Sequence, residues 1–454
     1  MNPMKKSYIE TFGCQMNERD SEIMGQMLYN SDYIPTDDIK QADVIVLNTC
    51  SIRDKAEQKV YSLLGTLKKL KEKKPSLIIS VAGCVAQQEG KRLLTRMPQV
   101  DIVLGPQQIY RLSELVGKAA AKGKQQLAVN LSPSFEIPRH IPPSPAKSAS
   151  KDEKATTESF KKIVTIMQGC NNFCTYCVVP YTRGRETSRP HDDIIAEITV
   201  LANQGVKEVT LLGQNVNSYG KTHGSSQQNM TFPELLRNVA QIKGIERLRF
   251  STSNPKDLSP ELIKCFAEVE NLCPHFHLPV QSGSNRILQR MNRKYSIEEY
   301  LAKVKALRRV RPDIVLTTDI IVGFPGETDD DFQATMDLLE TVRYQGAYSF
   351  KYSDRPQAKS VAFDDKIDEQ IKAERLHLLQ EKQKAINLQE NQKYEGSVQT
   401  VMVEGENKNS AGQWRGRTMS NIIVNFAGPD LSPGQEVQVK ITEGLPHSLR
   451  GSLV

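Results

Sequence analysis

The sequence predicts an α/β protein in three parts: an N-terminal parallel α/β domain, a central partial (β/α)6 barrel and a small C-terminal five-stranded β-barrel. Three observations carry that expectation. Short β-rich runs alternate with longer amphipathic ones through two long stretches, a segment rich in proline, serine and charge separates them, and the end of the chain reads as strands alone. At 454 residues the chain exceeds one ordinary core, so two or three folding units are expected.

In the first stretch, strands are expected at Lys6–Thr11, Ala42–Asn48, Leu77–Val81 and Ile102–Leu104. Helices are expected at Asn17–Ser31, Ser51–Lys73, Gln87–Met97 and Gln107–Ala121. Residues 131–159 then read as a linker, closing a first domain at 1–130. From 160 to 390, strands at Ile163–Gln168, Glu208–Leu212, Arg247–Ser251, His275–Val280, Ile314–Val322 and Ala347–Tyr352 alternate with helices. Right-handed crossovers would curve six such units into a partial barrel. A long helix at Asp368–Glu390 leads into residues 391–454, where five short strands with glycine-containing turns suggest a closed barrel.

No apolar run approaches the roughly 20 residues a bilayer span needs, and the N-terminus lacks a secretory signal, so a cytoplasmic protein without membrane association is expected. A formal charge of +7 is compatible with a polyanionic partner but does not identify one. Eight cysteines are too few for a disulfide scaffold of this length, which makes metal ligation the question their positions must answer.

Cys170, Cys174 and Cys177 form a C-x3-C-x2-C arrangement expected to follow the first barrel strand. Three thiolates in one loop can grip three irons of a 4Fe-4S cube and leave the fourth iron to chelate S-adenosylmethionine (SAM). The competing reading is a zinc loop, which usually needs a fourth Cys or His nearby; the closest downstream histidine is His191.

Cys14, Cys50 and Cys84 each fall just past the carboxyl end of an expected parallel strand. Such strand ends face one crevice of an open α/β sheet, so three positions scattered along the chain would converge there on a second cluster. Their alternative role is as three small buried apolar residues. Cys265 and Cys273 have no partner at ligand spacing and are assigned to packing.

The first triad, with Tyr176 before its last cysteine, resembles the signature of the radical SAM superfamily. With both triads in place, the whole chain resembles the methylthiotransferases, whose parts are an N-terminal cluster domain, a radical SAM barrel and a C-terminal TRAM domain. Thr11–Asn17 (TFGCQMN) and Asn48–Glu57 (NTCSIRDKAE) look like the subgroup acting on N6-isopentenyl-adenosine in tRNA. Val179–Glu186, Leu211–Asn215, Ser251–Pro255, His277–Ser284 and Asp319–Glu327 match the family further.

The resemblance implies two 4Fe-4S clusters, SAM as radical source and methyl donor, and methylthiolation of C2 of the adenine beside the anticodon (position 37). It implies a tRNA anticodon stem-loop as partner, a reductant such as flavodoxin or ferredoxin, and a monomer. Tyr176, Gln214, Ser253, Gln281, Gly323 and Glu327 become candidate cofactor contacts, several of them at carboxyl ends of barrel strands. Arg183 and Arg185, with Arg415 and Arg417 in the last domain, become candidate RNA contacts, since guanidinium forks suit phosphate. Relatives acting on threonylcarbamoyl-adenosine or on a ribosomal protein supply an alternative, and a non-catalytic RNA-binding protein with structural zinc supplies one of a different class.

Overall fold

The computed structural model describes residues 4–51, 54–139, 160–222, 230–407 and 412–454. Residues 140–159 of the expected linker lie outside the described residues, and 131–139 carry no helix or strand. The chain divides into two compact units. The first comprises Met1–His140, Met167–Asn171 and Val178–Arg189; the second comprises Ile141–Ile166, Asn172–Cys177 and Pro190–Val454.

The first unit holds an all-parallel six-stranded sheet in the order Tyr33–Pro35, Lys5–Thr11, Val44–Thr49, Ile78–Gly83, Ile102–Leu104, Gln126–Ala128. The central strands VIVLNT and IISVAG are buried on both faces, the mark of a parallel sheet covered on each side. Alternation divides their side chains: Val44, Val46 and Ile78 enter one core, while Ile45, Leu47, Ile79 and Val81 enter the other. The two three-residue edge strands, Tyr33–Pro35 and Gln126–Ala128, were not expected; at that length no alternation is visible. The helix expected at Gln87–Met97 is two short helices, Cys84–Glu89 and Lys91–Arg96, divided at Gly90, whose φ of +50° an unbroken helix does not tolerate.

In the second unit the parallel strands form two three-stranded sheets. One is Arg247–Ser251, Glu208–Leu212, Lys161–Thr165, and the other is His275–His277, Val315–Val322, Gly346–Lys351. A parallel bridge between Leu248 and Leu272 joins them. Phe232, Phe250, Phe266 and Phe276 pack edge-on or tilted at 5.1–6.0 Å beneath that junction. Helix Ile297–Val310 starts at a capping box in which Ser296 and Glu299 satisfy each other's backbone N–H groups.

The first barrel strand departs from expectation. It ends at Thr165, and Met167–Gln168 turn away to pair antiparallel with Thr187–Ser188 within the first unit. The run IVTIMQ is too uniformly apolar to mark the break; Gly169 marks it, with φ +80° and an added Cβ that would fall 2.1 Å from the Arg185 carbonyl oxygen.

The C-terminal strands close into a five-stranded barrel in the order Val398–Glu406, Gln413–Thr418, Ile423–Ala427, Ser448–Leu453, Glu436–Leu445. Val401, Val403, Val424, Phe426, Val439, Ile441 and Leu449 fill it, with Val315 of the central domain entering the same core and Trp414 packing against it. Two arginines fasten this barrel to strand Arg247–Ser251. Arg247, fully buried, donates to Glu436 Oε1 (2.7 and 3.0 Å) and to the Arg417 carbonyl (2.8 Å). Arg249 donates to the carbonyls of Met419 (2.9 Å) and Thr418 (3.2 Å).

Candidate functional site

In the first unit, strands Lys5–Thr11, Val44–Thr49 and Ile78–Gly83 are adjacent and parallel, so their carboxyl ends open on one edge. Cys14 precedes helix Gln15–Tyr29, Cys50 follows the second strand and Cys84 opens the helix after the third. The close packing there requires glycine twice. At Gly13 (φ +134°) a Cβ would fall 2.1 Å from Cys50 Cβ, and at Gly83 (φ +94°) one would fall 2.3 Å from the Thr49 carbonyl oxygen.

Asn17 ties two of these turns together. Its Oδ1 accepts from Cys14 Sγ (3.3 Å), and its Nδ2 donates to Asn48 Oδ1 (3.0 Å) and to the Thr49 carbonyl (2.9 Å). Asn48 Nδ2 returns a bond to the Asn17 carbonyl (2.8 Å) and donates to Ser21 Oγ (3.0 Å). The TFGCQMN segment thus has a mechanical role that its spacing alone did not disclose.

Arg183 occupies a different place from the one expected. Its side chain is 3% exposed and donates from Nη2 to Asp20 Oδ2 at 2.7 Å, with Asp20 4% exposed, so this guanidinium is not an RNA-facing group. Gln107 holds the same turn by donating from Nε2 to the Arg183 carbonyl (3.3 Å). The Arg183 charge acts on both Cys14 and Cys84. A hydrogen bond with Cys50 pulls the Cys14 thiol down to about 6, with Arg183 adding to that pull against burial. Burial pushes the Cys84 thiol up and Arg183 offsets part of this. Burial likewise raises the Asp20 carboxyl against Arg183. Arg183 Nη1 is buried with no hydrogen-bond partner among the described residues.

Among the described residues no three His, Cys, Asp or Glu side chains close on a single metal ion. A cube presents its irons at separate corners, so its thiolates stand farther apart than those around one ion, and three thiols beside a buried cation with an open donor suit an anionic iron–sulfur group.

Of the second triad, Cys170 lies in the first unit, where its N–H donates to the Gly184 carbonyl (3.2 Å) and Asn171 Oδ1 accepts from Glu186 N–H (3.3 Å). Cys174 and Cys177 lie in the second unit. There, Asn292 Nδ2 donates to the carbonyls of Asn172 (3.3 Å) and Phe173 (2.9 Å), and Thr175 N–H donates to the Met291 carbonyl (3.0 Å). Arg293 Nη1 donates to Cys174 Sγ (3.5 Å) while its Nη2 donates to the Pro279 carbonyl (2.9 Å). The loop is thereby fixed by the segment after helix Asn285–Arg290, a short helix that the sequence pattern does not mark.

Tyr176 packs its ring against Ile287, Met291, Phe324 and Tyr352. Gln214 is half-buried in the loop after strand Glu208–Leu212, and Ser253 is buried after strand Arg247–Ser251 with its Oγ unpartnered among the described residues. Asn215 Oδ1 and Asn217 Oδ1 are likewise buried and have no hydrogen-bond partner among the described residues, although the amide nitrogens donate to Asp257 Oδ2 (2.8 Å) and the Asn254 carbonyl (3.2 Å). Unpartnered acceptors and a hydroxyl at the ends of adjacent parallel strands suit a ligand rich in N–H and O–H donors.

Other expected contacts serve the chain itself. Gln281 (φ +77°) extends the sheet by exchanging backbone hydrogen bonds with Asp319 and Ile321, each 2.9 Å. Gly323 (φ +68°) makes room for Lys372, whose Cγ would stand 2.1 Å from an added Cβ. Glu327 accepts from the Gly323 N–H (2.8 Å) and from Arg375 Nη1 (2.8 Å), and burial pushes its carboxyl up to about 7 against both donors. Arg185 is exposed. Arg415 and Arg417 share Glu404 at 3.4 and 3.1 Å, and Arg417 also donates to the Asn421 carbonyl (3.1 Å).

Comparison with known proteins adds the family. Residues 6–105 match Uncharacterized protein family UPF0004, residues 164–339 the Radical SAM superfamily and residues 392–454 the TRAM domain. A tRNA-2-methylthio-N(6)-dimethylallyladenosine synthase of Desulfotalea psychrophila is 52% identical over 98% of each chain. The protein of the same name from Geotalea uraniireducens is 49% identical over the whole of both. Among solved structures, the radical S-adenosylmethionine methyltransferase TsrM of Kitasatospora setae superposes with a TM-score of 0.57 at 13% identity, covering 76% of this chain and 73% of that one. The cobalamin-dependent radical enzyme OxsB gives 0.52 at 13% identity over 83% and 56%, a likeness of fold. With both cysteine groups in place and two relatives matching from end to end, the chain belongs to the tRNA-2-methylthio-N(6)-dimethylallyladenosine synthase family of radical SAM enzymes.

Proposed function

We propose that this protein transfers a methylthio group to C2 of N6-isopentenyl-adenosine at position 37 of tRNA, using SAM both as radical source and as methyl donor. The observation that carries this reading is the gathering of Cys14, Cys50 and Cys84 at one edge of a parallel sheet in a chain that also holds the C-x3-C-x2-C loop. In this reading Cys170, Cys174 and Cys177 hold the cluster that cleaves SAM, and Cys14, Cys50 and Cys84 hold the auxiliary 4Fe-4S cluster. The bound clusters and SAM supply the one-electron and sulfur chemistry that an adenine C–H bond demands and no side-chain base can perform at neutral pH.

The protein's own part is to hold and to shield. Arg293 anchors the Cys174 turn against the Pro279 carbonyl, and Asn292 fixes the two carbonyls before it. Ser253, Asn215 and Asn217 offer open polar atoms for orienting SAM at the strand ends. Fixing reactants in a dry, preformed site lowers the entropic part of the barrier.

The anticodon loop is the expected RNA partner, because an unpaired loop base can enter a pocket without breaking a duplex. In this reading Arg185, which is exposed, and Arg415 on the C-terminal barrel each contribute a guanidinium for phosphate. A flavodoxin or ferredoxin as reductant, a monomeric state and a cytoplasmic location complete the proposal; among the described residues no helix is long and apolar enough to cross a membrane.

The test is the mass of modified nucleosides in tRNA from cells with and without the gene, paired with metal analysis of anaerobically purified protein. The methylthio nucleoside should vanish without the gene, and the purified chain should carry about eight irons, two cubes' worth. Modification of threonylcarbamoyl-adenosine or of a ribosomal protein in its place, or zinc without iron and sulfide, would overturn the reading.

A further inference from the structure

Arg183 is not needed to complete the fold of its own loop. The turn is already held by Gln107 at the Arg183 carbonyl and by the pairing of Met167–Gln168 with Thr187–Ser188. Yet the guanidinium is buried, held from Nη2 by the equally buried Asp20, and keeps Nη1 unpartnered among the described residues. Its neighbours include Cys14 and Cys84, both acted on by its charge. A buried donor without an acceptor is costly unless a ligand supplies one.

The environment fits an anion rich in sulfur. Three thiolates around an iron–sulfur cube leave it with net negative charge, and reduction adds one more. A fixed cation and an N–H donated to sulfur both stabilise the reduced form more than the oxidised one, which moves the reduction potential upward. A lysine in the same place would supply the charge without the planar fork that lets one edge grip Asp20 while the other stays free.

Resting on the cluster assignment proposed above, we propose that Arg183, positioned by Asp20, donates its free Nη1 edge to the iron–sulfur group seated on Cys14, Cys50 and Cys84 and raises its reduction potential. Asp20 acts as a positioning residue: it holds the guanidinium plane and keeps part of the positive charge from the cluster. The arrangement makes the sulfur-delivering centre easier to reduce than three bare thiolates would.

The experiment uses the full chain with Cys170, Cys174 and Cys177 replaced by alanine, so that the auxiliary cluster is read alone. Iron and sulfide are counted after anaerobic loading, and the cluster is titrated with dithionite and mediators while its paramagnetic signal is followed. Arg183→Gln should shift the midpoint to lower potential, and Arg183→Lys should recover much of that shift. Asp20→Asn, which keeps the size but frees the guanidinium charge, should move it upward. If Arg183→Gln and the parent share one midpoint at equal iron content, the proposal is overturned. If Arg183→Gln loses the cluster while Arg183→Lys keeps it, a charge requirement is established and the proposal stands; if both lose it, the arginine serves the fold alone and the proposal falls. A parent that takes up no iron would remove the cluster assignment itself, a failure distinguishable from an unmoved potential.

Discussion

Arg183 and Asp20 stand 163 positions apart in the chain and meet at 2.7 Å in a space closed to solvent. Each is the other's hydrogen-bonded counter-charge, with Arg19 adding to the field on Asp20 and Cys84 and Cys14 to that on Arg183. Removing one partner of a buried ion pair costs about 3–5 kcal/mol, because the survivor is left as an uncompensated charge. Asp20→Ala is therefore expected to lower the unfolding free energy of the metal-free chain by roughly that amount in urea. The double change with Arg183→Met should cost less than the sum of the single changes, and an additive result would contradict the coupling.

The two cysteine groups should separate by product. Alanine at Cys170, Cys174 or Cys177 is expected to abolish formation of 5′-deoxyadenosine from SAM. Alanine at Cys14, Cys50 or Cys84 should leave that product forming while the methylthio nucleoside disappears. Both products can be followed by mass in one reaction, and methylthiolation surviving loss of Cys50 would refute the division of labour.

Gly13 permits the contact between its turn and Cys50. In Gly13→Ala the new methyl would fall 2.1 Å from Cys50 Cβ at a φ of +134°, so Cys50 must move. The expected result is a fall in iron content by up to half, with 5′-deoxyadenosine formation retained, and a stability loss of more than about 1 kcal/mol. Full iron content in this variant would show that the turn tolerates the shift.

His275 gives an acid-side signature. Burial, with Arg249, His277 and Arg417 nearby, pushes its imidazole down from the usual 6.5 to about 3. The folded state thus holds it neutral while the unfolded chain takes a proton, so its contribution to stability is complete above about 6.5 and is lost as pH falls toward 3. Within that window the slope approaches about 1.4 kcal/mol per pH unit. His275→Gln should flatten the urea-midpoint profile there, and an unchanged slope would rule the histidine out as its source.

Arg247 fastens the C-terminal barrel. Arg247→Met removes three hydrogen bonds to Glu436 and the Arg417 carbonyl from a fully buried position. Charge-assisted bonds of this kind contribute about 1.5–3 kcal/mol each at most, so a loss of several kcal/mol in stability is expected. Protease accessibility of residues 392–454 should rise with it, and wild-type resistance in the variant would show that the core shared with Val315 suffices.

Much of this architecture was legible in the residues because the strongest patterns are local. Runs such as VIVLNT announce a covered parallel strand, and the triad Cys170, Cys174 and Cys177 sits within eight positions. The placement of Cys14, Cys50 and Cys84 just past the ends of adjacent strands was reachable because strand-end position is a property each cysteine carries in its own segment. What escaped were relations between distant segments. Arg183 reads in sequence as one more charge in a basic loop, and only the fold brings Asp20 to it. Gly323 reads as a candidate for cofactor approach until Lys372 is seen lying against it. The break after Thr165 was hidden because apolar residues serve a barrel strand and a two-residue hairpin equally well.

The first unit is assembled from three separated pieces of chain, the last ending at Arg189. A nascent polypeptide that has emerged from the ribosome only as far as residue 140 carries Asp20 but lacks Arg183, the residue it pairs with. This half of the molecule can therefore be completed only after the second cysteine motif has been synthesised.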